Sequence, residues 1–253
     1  MELLPYLREI SLKIDKIDDW NVFPFTIPAI KNLEHLEFSP TVTFIIGENG
    51  SGKSTLVEAI AVAMGFNPEG GTKNFNFGTR ESHSDLHQYL RLVKSVKRPK
   101  DGFFLRAESF FNVATNIEQL DAGWGGPPII DSYGGSSLHE QSHGESFLSL
   151  VLHRFSGSGL YILDEPEAAL SPTRQLTVLA RMKQLLDLDS QFIIATHSPI
   201  LMAFPGATIY CITESGIEAV DYEETEHYEI TKAFLENPGR MLRELFREDD
   251  REA

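Results

Sequence analysis

The stretch "FIIGENGSGKSTLVEAI" constrains this chain more than any other, because it fixes three consecutive elements at once. An apolar run ends in a glycine-rich turn, and a periodic apolar segment begins directly after it. This is the order strand, loop, helix that a phosphate-cradling loop requires. Gly47 to Ser54, "GENGSGKS", fits the pattern at every position. Gly47, Gly50 and Gly52, with Glu48, Asn49 and Ser51 between them, let backbone N–H groups converge on phosphate oxygens. Lys53 can reach the β and γ phosphates, Ser54 can ligate Mg²⁺, and Thr55 opens the helix.

Composition narrows the setting. With 253 residues, 42% of them hydrophobic, the chain can bury one sizeable α/β core. Its formal net charge of -15 provides no large field for nucleic acid or an anionic membrane, so a nucleic-acid partner has no support from charge. Cys211 is the single cysteine, and no Cys/His cluster has the spacing of a structural zinc site. The first 20 residues carry charge throughout, and no window reaches 18 apolar residues, so a soluble, cytoplasmic protein is expected.

Short alternating segments, "ISLKIDKI" and "EHLEFSPTVTFIIG", precede the loop and read as strands, the second ending at Gly47; residues 55–64 form the following helix. The pattern is less regular from 66 to about 140. "DLHQYLRLVKSV" is compatible with a helix, "GFFLRAESFFNVA" contains a strand, and "DAGWGGPPIIDSYGGSS" is turn-rich. We read about 67–140 as a subdomain inserted into a single domain spanning 1–253, with no long heptad array. Order then returns as "ESFLSLVLHRF" (helix), "LYILDEP" (strand), "PTRQLTVLARMKQLLDLD" (helix), "QFIIATHSP" (strand) and "TIYCITESGIEAV" (two strands), before a helical tail broken at Asn-Pro-Gly. This alternation predicts a mostly parallel sheet with helices on both faces and the chemical motifs at strand carboxyl ends.

Two of those strand ends carry chemistry. An apolar strand closing on two consecutive carboxylates is costly unless they meet a cation or water. Asp164 is placed to hold Mg²⁺, and Glu165 to polarise a water that attacks the γ phosphate. In "IIATHSP", 32 residues beyond Glu165, His197 leaves an apolar strand where it can sense the γ phosphate.

Phosphate loop, "QSHGES", "DEP" and a strand ending in His follow one another in a layout that resembles ABC-type ATPase heads. "QSHGES" is similar to a divergent LSGGQ signature, with Ser142, Gly144 and Glu145 in its serine, second-glycine and terminal polar places and His143 where the first glycine is usual. "DEPEAALSP" resembles the SMC and RecF branch and small stand-alone bacterial ATPases of the AAA_23 type. The resemblance covers most of the chain except parts of 67–135. It implies ATP hydrolysis with Mg²⁺ and an ATP-dependent head-to-tail homodimer, in which Ser142 and the amides near Gly144 of one copy contact nucleotide on the other. The same residues also suit an ordinary capping box.

The chain departs from that pattern twice. The family's glutamine after a strand in the inserted region is replaced by Glu108 in "FFLRAESFF", with Gln88 and Gln119 in less suitable contexts, so Glu108 is the third candidate metal contact. Ser171 stands where an aspartate usually crosses the dimer. "RLVKSVKRPK", with five basic residues in ten, reads as a solvated helix end, and the aromatic cluster around 103–111 as core. The leading expectation is an ATP-driven switch acting on an unidentified protein partner. The alternatives are a transporter ATPase subunit, disfavoured by the altered signature, and a nucleotide-gated binding module that hydrolyses almost nothing.

Overall fold

The computed structural model describes residues 4–73, 84–106, 110–123, 128–135, 137 and 139–246. Its centre is a six-stranded sheet built from β3 (Val42–Gly47), β5 (Asp101–Arg106), β6 (Gly159–Asp164), β7 (Gln191–Ala195), β8 (Thr208–Thr213) and β9 (Gly216–Val220), in the order β5-β6-β7-β3-β8-β9. Neighbours are parallel except β8 and β9, which form a hairpin. Every residue of β3, β6 and β7 is buried, which is why these segments read as continuous apolar runs without alternation.

A second, antiparallel sheet of three strands joins β1 (Leu7–Leu12) to β2 (His35–Glu37) and β4 (Leu90–Lys94). The segment "EHLEFSPTVTFIIG" is therefore two strands in two sheets, parted at Ser39-Pro40. "DLHQYLRLVKSV" also differs from its helical expectation. Only α3 (Leu86–Tyr89) is helical, and the chain then extends as β4, whose backbone pairs with β1 from Leu7 to Leu12. Partner strand hydrogen bonds outweigh the weak local preference of this short segment. The basic stretch that follows is strand and turn, with Lys97 ion-paired to Asp189.

Two apolar clusters sandwich the large sheet. On one face α2 (Lys53–Ala63), the short α1 (Pro28–Lys31) and the small sheet bury Leu56, Val57 and Ile60 against Ile45, Ile162 and Ile193. On the other, α4 (Phe110–Gly123), α5 (His143–Ser149) and α6 (Pro172–Asp187) cover Phe44, Phe103, Tyr161 and Phe192. Phe103 and Phe104 are core, as the aromatic pattern suggests. The turn-rich region contributes a 3₁₀ turn, Ile129–Tyr133, and α5 continues as a π-helical stretch, Leu150–Arg154. The chain ends in α7 (Pro199–Met202), α8 (Glu226–Glu236) and α9 (Pro238–Leu245), with Asn237 capping α9 as the Asn-Pro-Gly break requires.

Among the described residues no helix is long and apolar enough to cross a membrane.

Candidate functional site

Sheet register assembles the site. Arg106 pairs with Asp164, Asp164 with Ala195, and Ala195 with Ile45, so four strands end level with one another. The residues just past that row are Gly47 onward, Glu165 and His197. The Glu165 N–H donates to Ala195 O at 3.0 Å and the Thr196 N–H to Ile45 O at 3.2 Å, which continues the ladder one residue past the strands.

The loop from Gly47 to Gly52 needs its glycines. Gly47 has φ +147°, and a Cβ there would lie 2.8 Å from Ile212 O; Gly52 has φ +102° and would press 2.7 Å against Ile27 Cγ2. Lys53 is buried, and its Nζ donates to Gly47 O and Glu48 O, both at 2.8 Å. Burial pushes its ammonium pKa down, opposed by Glu165, Asp164 and Glu167. Ser54 Oγ donates to Asp164 Oδ1 at 3.0 Å, bringing together two of the predicted metal contacts. The third, Glu108, lies outside the described residues.

These residues suit a nucleotide and Mg²⁺. The Ser51 hydroxyl is buried in the loop with no hydrogen-bond partner, an orphaned donor in the anion cradle. Ser54 and Asp164 offer a hydroxyl and a carboxylate oxygen, the hard donors that Mg²⁺ takes while keeping several waters. A cavity of 320 Å³ is lined by Lys53, Ser54, Thr55 and Glu165 together with Phe23 and Ile27. Phe23 is 65% exposed, so an aromatic face stands free beside the phosphate loop. A larger cavity of 590 Å³ on the β8 side of the loop carries Glu48, Glu214 and Glu226, a charge set that repels phosphate.

Glu165 adopts a left-handed conformation (φ 49°, ψ 53°), uncommon for a residue with a side chain and suggestive of a functional demand. His197 Nε2 is 3.6 Å from Glu165 Oε1. The His197 N–H donates to Glu167 Oε1 at 2.5 Å, and burial raises the Glu167 carboxyl pKa. Ser198 Oγ donates to Gln175 Oε1 at 2.5 Å, while Gln175 Nε2 donates to Leu170 O at 3.1 Å, tying the turn after β7 to the turn after β6. His197 Nδ1 meets His227 Nε2 of α8 at 3.0 Å. Burial lowers both histidine pKa values; the Lys53 charge adds to the shift of His197, and His197 to that of His227.

The "QSHGES" segment lies at the start of α5 with Ser142 and His143 exposed. The Ser142 N–H donates to Glu145 Oε2 at 3.0 Å and its hydroxyl to the same oxygen at 2.6 Å, so the capping arrangement is formed. Glu145 also pairs with Arg174 at 3.3 Å. At Gly144 a Cβ would lie 2.4 Å from Ala169 O, which packs α5 tightly on the turn that follows Glu165. Ser171 is the N-cap of α6 and accepts from the Arg174 N–H at 3.4 Å.

Sequence reasoning missed Phe23, Glu167 and His227. Glu167 was visible as the third acid of "DEPE"; Phe23 and His227 belong to irregular or polar segments with no periodic signal.

Two family models and several known proteins are similar to parts of this chain. An AAA domain model, AAA_23, matches residues 16–119, and a second AAA domain model, AAA_21, whose description also names the AbiEii toxin of a type IV TA system, matches 141–203. The chromosome partition protein Smc of Methanocaldococcus jannaschii is 25% identical over 165 residues, 56% of this chain and 14% of that protein. The energy-coupling factor transporter ATP-binding protein EcfA1 of Fusobacterium nucleatum is 28% identical over 165 residues, 61% of this chain and 62% of that protein. This chain thus spans less than two thirds of either relative. Among solved structures, the SMC head domain from Thermotoga maritima has a TM-score of 0.44 at 17% identity, covering 85% of this chain and 99% of that one. The transporter component cbiO1 from Clostridium perfringens has 0.45 at 18%, covering 84% and 90%. The phosphate loop and the mostly parallel sheet flanked by helices are consistent with a P-loop fold of ABC-ATPase type. The chain is related both to SMC heads and to the ATP-binding domains of ABC transporters, and identities of 25% and 28% do not distinguish them.

Proposed function

We propose that this domain binds ATP on residues 47–55 and hydrolyses it with Glu165 as base, two copies closing head to tail around the nucleotide and reopening after hydrolysis. The observation that carries this reading is the level row of strand ends, with Lys53, Ser54, Asp164, Glu165 and His197 at one edge of the sheet. Phe23 and Ile27 line the same cavity as Lys53, and the exposed Phe23 ring offers a face on which a base can stack.

On binding, Lys53 exchanges the Gly47 and Glu48 carbonyls for β and γ phosphate oxygens. Ser54 and Asp164 would hold Mg²⁺, which supplies neutralising charge at those phosphates when bound. Glu165 accepts a proton from the attacking water as its oxygen bonds to the γ phosphorus, and the bond to the bridging oxygen breaks with its electron pair leaving on ADP. His197 donates from Nε2 to a γ oxygen and keeps the water in line. The exposed Ser142 hydroxyl and the start of α5 complete the partner copy's site. The switch would act on a protein partner. The EcfA1 similarity keeps a transporter subunit as a second reading, which co-purification with a membrane protein would favour.

Glu165→Gln tests the chemistry. The amide cannot take the proton, so phosphate release falls by roughly 10²–10⁴-fold while ATP binding is retained. Unchanged turnover would exclude Glu165 as the base.

A further inference from the structure

His227 is the second residue of α8, an element outside the motifs of the P-loop core, yet its ring reaches the strand end that carries His197. The ring centroids are 5.3 Å apart and inclined by 48°, an edge contact that suits a hydrogen bond and not a stack. We propose that His227 is a positioning residue: by donating from Nε2 to His197 Nδ1 it fixes the His197 ring and keeps its proton on Nε2, facing Glu165 and the γ-phosphate position. This rests on the reading of His197 given above.

The assignment follows from comparing tautomers. His197 has two ring nitrogens, with Glu165 Oε1 3.6 Å from Nε2 and His227 Nε2 3.0 Å from Nδ1. A proton on His197 Nδ1 would turn the Nε2 lone pair toward the Glu165 carboxylate, an unfavourable contact between acceptors. A proton on His197 Nε2 turns an N–H toward the carboxylate, a favourable charge–dipole contact at 3.6 Å, and makes Nδ1 an acceptor. The group opposite Nδ1 must then be a donor, which requires His227 to carry its own proton on Nε2. The third arrangement, with neither facing nitrogen protonated, sets two lone pairs at 3.0 Å. Burial favours neutral rings at both positions, so protonating both is not an escape. His197 Nε2 is itself buried without a hydrogen-bond partner, the state expected of a donor held for a ligand atom.

Backbone anchoring makes the contact directional. The His197 N–H is held by Glu167, and Thr225 caps α8 by accepting from the Tyr228 N–H at 3.3 Å, which fixes the turn that bears His227. The pair therefore links the C-terminal helical arm to the nucleotide site through one hydrogen bond.

The test uses the full chain, ¹⁵N-labelled, without nucleotide. Long-range ¹H–¹⁵N correlation is expected to show His197 as the Nε2–H tautomer in wild type. His227→Gln, whose amide donor occupies the place of Nε2–H, should keep that tautomer, whereas His227→Leu should shift His197 toward Nδ1–H. In ATP turnover His227→Leu should lower kcat by about 10-fold or more with KM for ATP little changed, and His227→Gln should recover most of the loss. A wild-type His197 protonated on Nδ1 overturns the proposal, as does a folded His227→Leu protein with unchanged tautomer and kcat. If His227→Leu does not fold, the wild-type tautomer and the His227→Gln protein decide the matter. A wild type with the expected tautomer but no ATP turnover would instead refute the hydrolysis reading and leave the hydrogen-bond assignment standing.

Discussion

At the scale of single residues, the site is a set of charges held by burial and by one another. Lys53 is the cation best placed for phosphates, and its present partners are two carbonyls of its own loop. Lys53→Ala should leave the fold intact and reduce ATP affinity strongly, measured by calorimetry; equal affinity would remove the phosphate-loop role. The histidine pair makes a prediction about pH. Both rings titrate below the ordinary value of 6.5 because burial disfavours their charged forms. As pH falls below that value the unfolded chain takes up these protons before the folded one, so stability is lost until the folded pKa values are reached. The sign is that of folded groups binding fewer protons. Urea unfolding between about pH 7 and pH 5 should therefore show a steeper loss for wild type than for the His197→Gln, His227→Gln double variant; equal slopes would contradict it. The positions of Lys53, Ser54, Asp164, Glu165 and His197 were legible because each sits next to an apolar run that fixes a strand end. His227 was not, because its role depends on where α8 returns to the sheet, a distance of 30 residues along the chain from His197.

At the scale of elements, the central strands announce themselves and the peripheral ones do not. β3, β6 and β7 are buried on both faces, so composition alone reveals them. β4 is a half-exposed strand of five residues, and its identity comes from pairing with β1 across 78 to 87 residues of chain, which no local pattern encodes. Besides the shared apolar cluster, a buried amide ties the small sheet to the large one. Gln191 Oε1 accepts from the Tyr6 and Leu7 N–H groups at 2.9 and 3.0 Å, and its Nε2 donates to Leu7 O and Ser39 O, both at 2.9 Å. All four groups lose their partner in Gln191→Leu. With about 1–3 kcal/mol for each unsatisfied buried group and incomplete additivity, the variant should lose at least about 3 kcal/mol in urea unfolding. A loss below about 1 kcal/mol would show that β1 is held by other contacts. Glycine at 144 belongs to this scale too, since Ala169 O approaches where a Cβ would stand. The turn after Glu165 and the start of α5 are therefore in direct backbone contact, and a side chain at 144 would push them apart.

For the whole molecule, the cis residues gather at one edge of the sheet while Ser142 and His143 are exposed at the start of α5, available to another copy. A net charge of -15 opposes association, so the proposed closure needs a specific attraction, which on that reading the γ phosphate would supply to a serine hydroxyl and helix amides. The same repulsion makes ionic strength near physiological the appropriate condition. Sedimentation velocity of the Glu165→Gln protein with ATP and Mg²⁺, with ADP and without nucleotide is the most direct measurement, with Ser142→Arg added to that background to block closure while leaving the Lys53 pocket able to bind. The account predicts a dimer with ATP and Mg²⁺ only, abolished by Ser142→Arg; the same monomer in all three conditions at high protein concentration would contradict it.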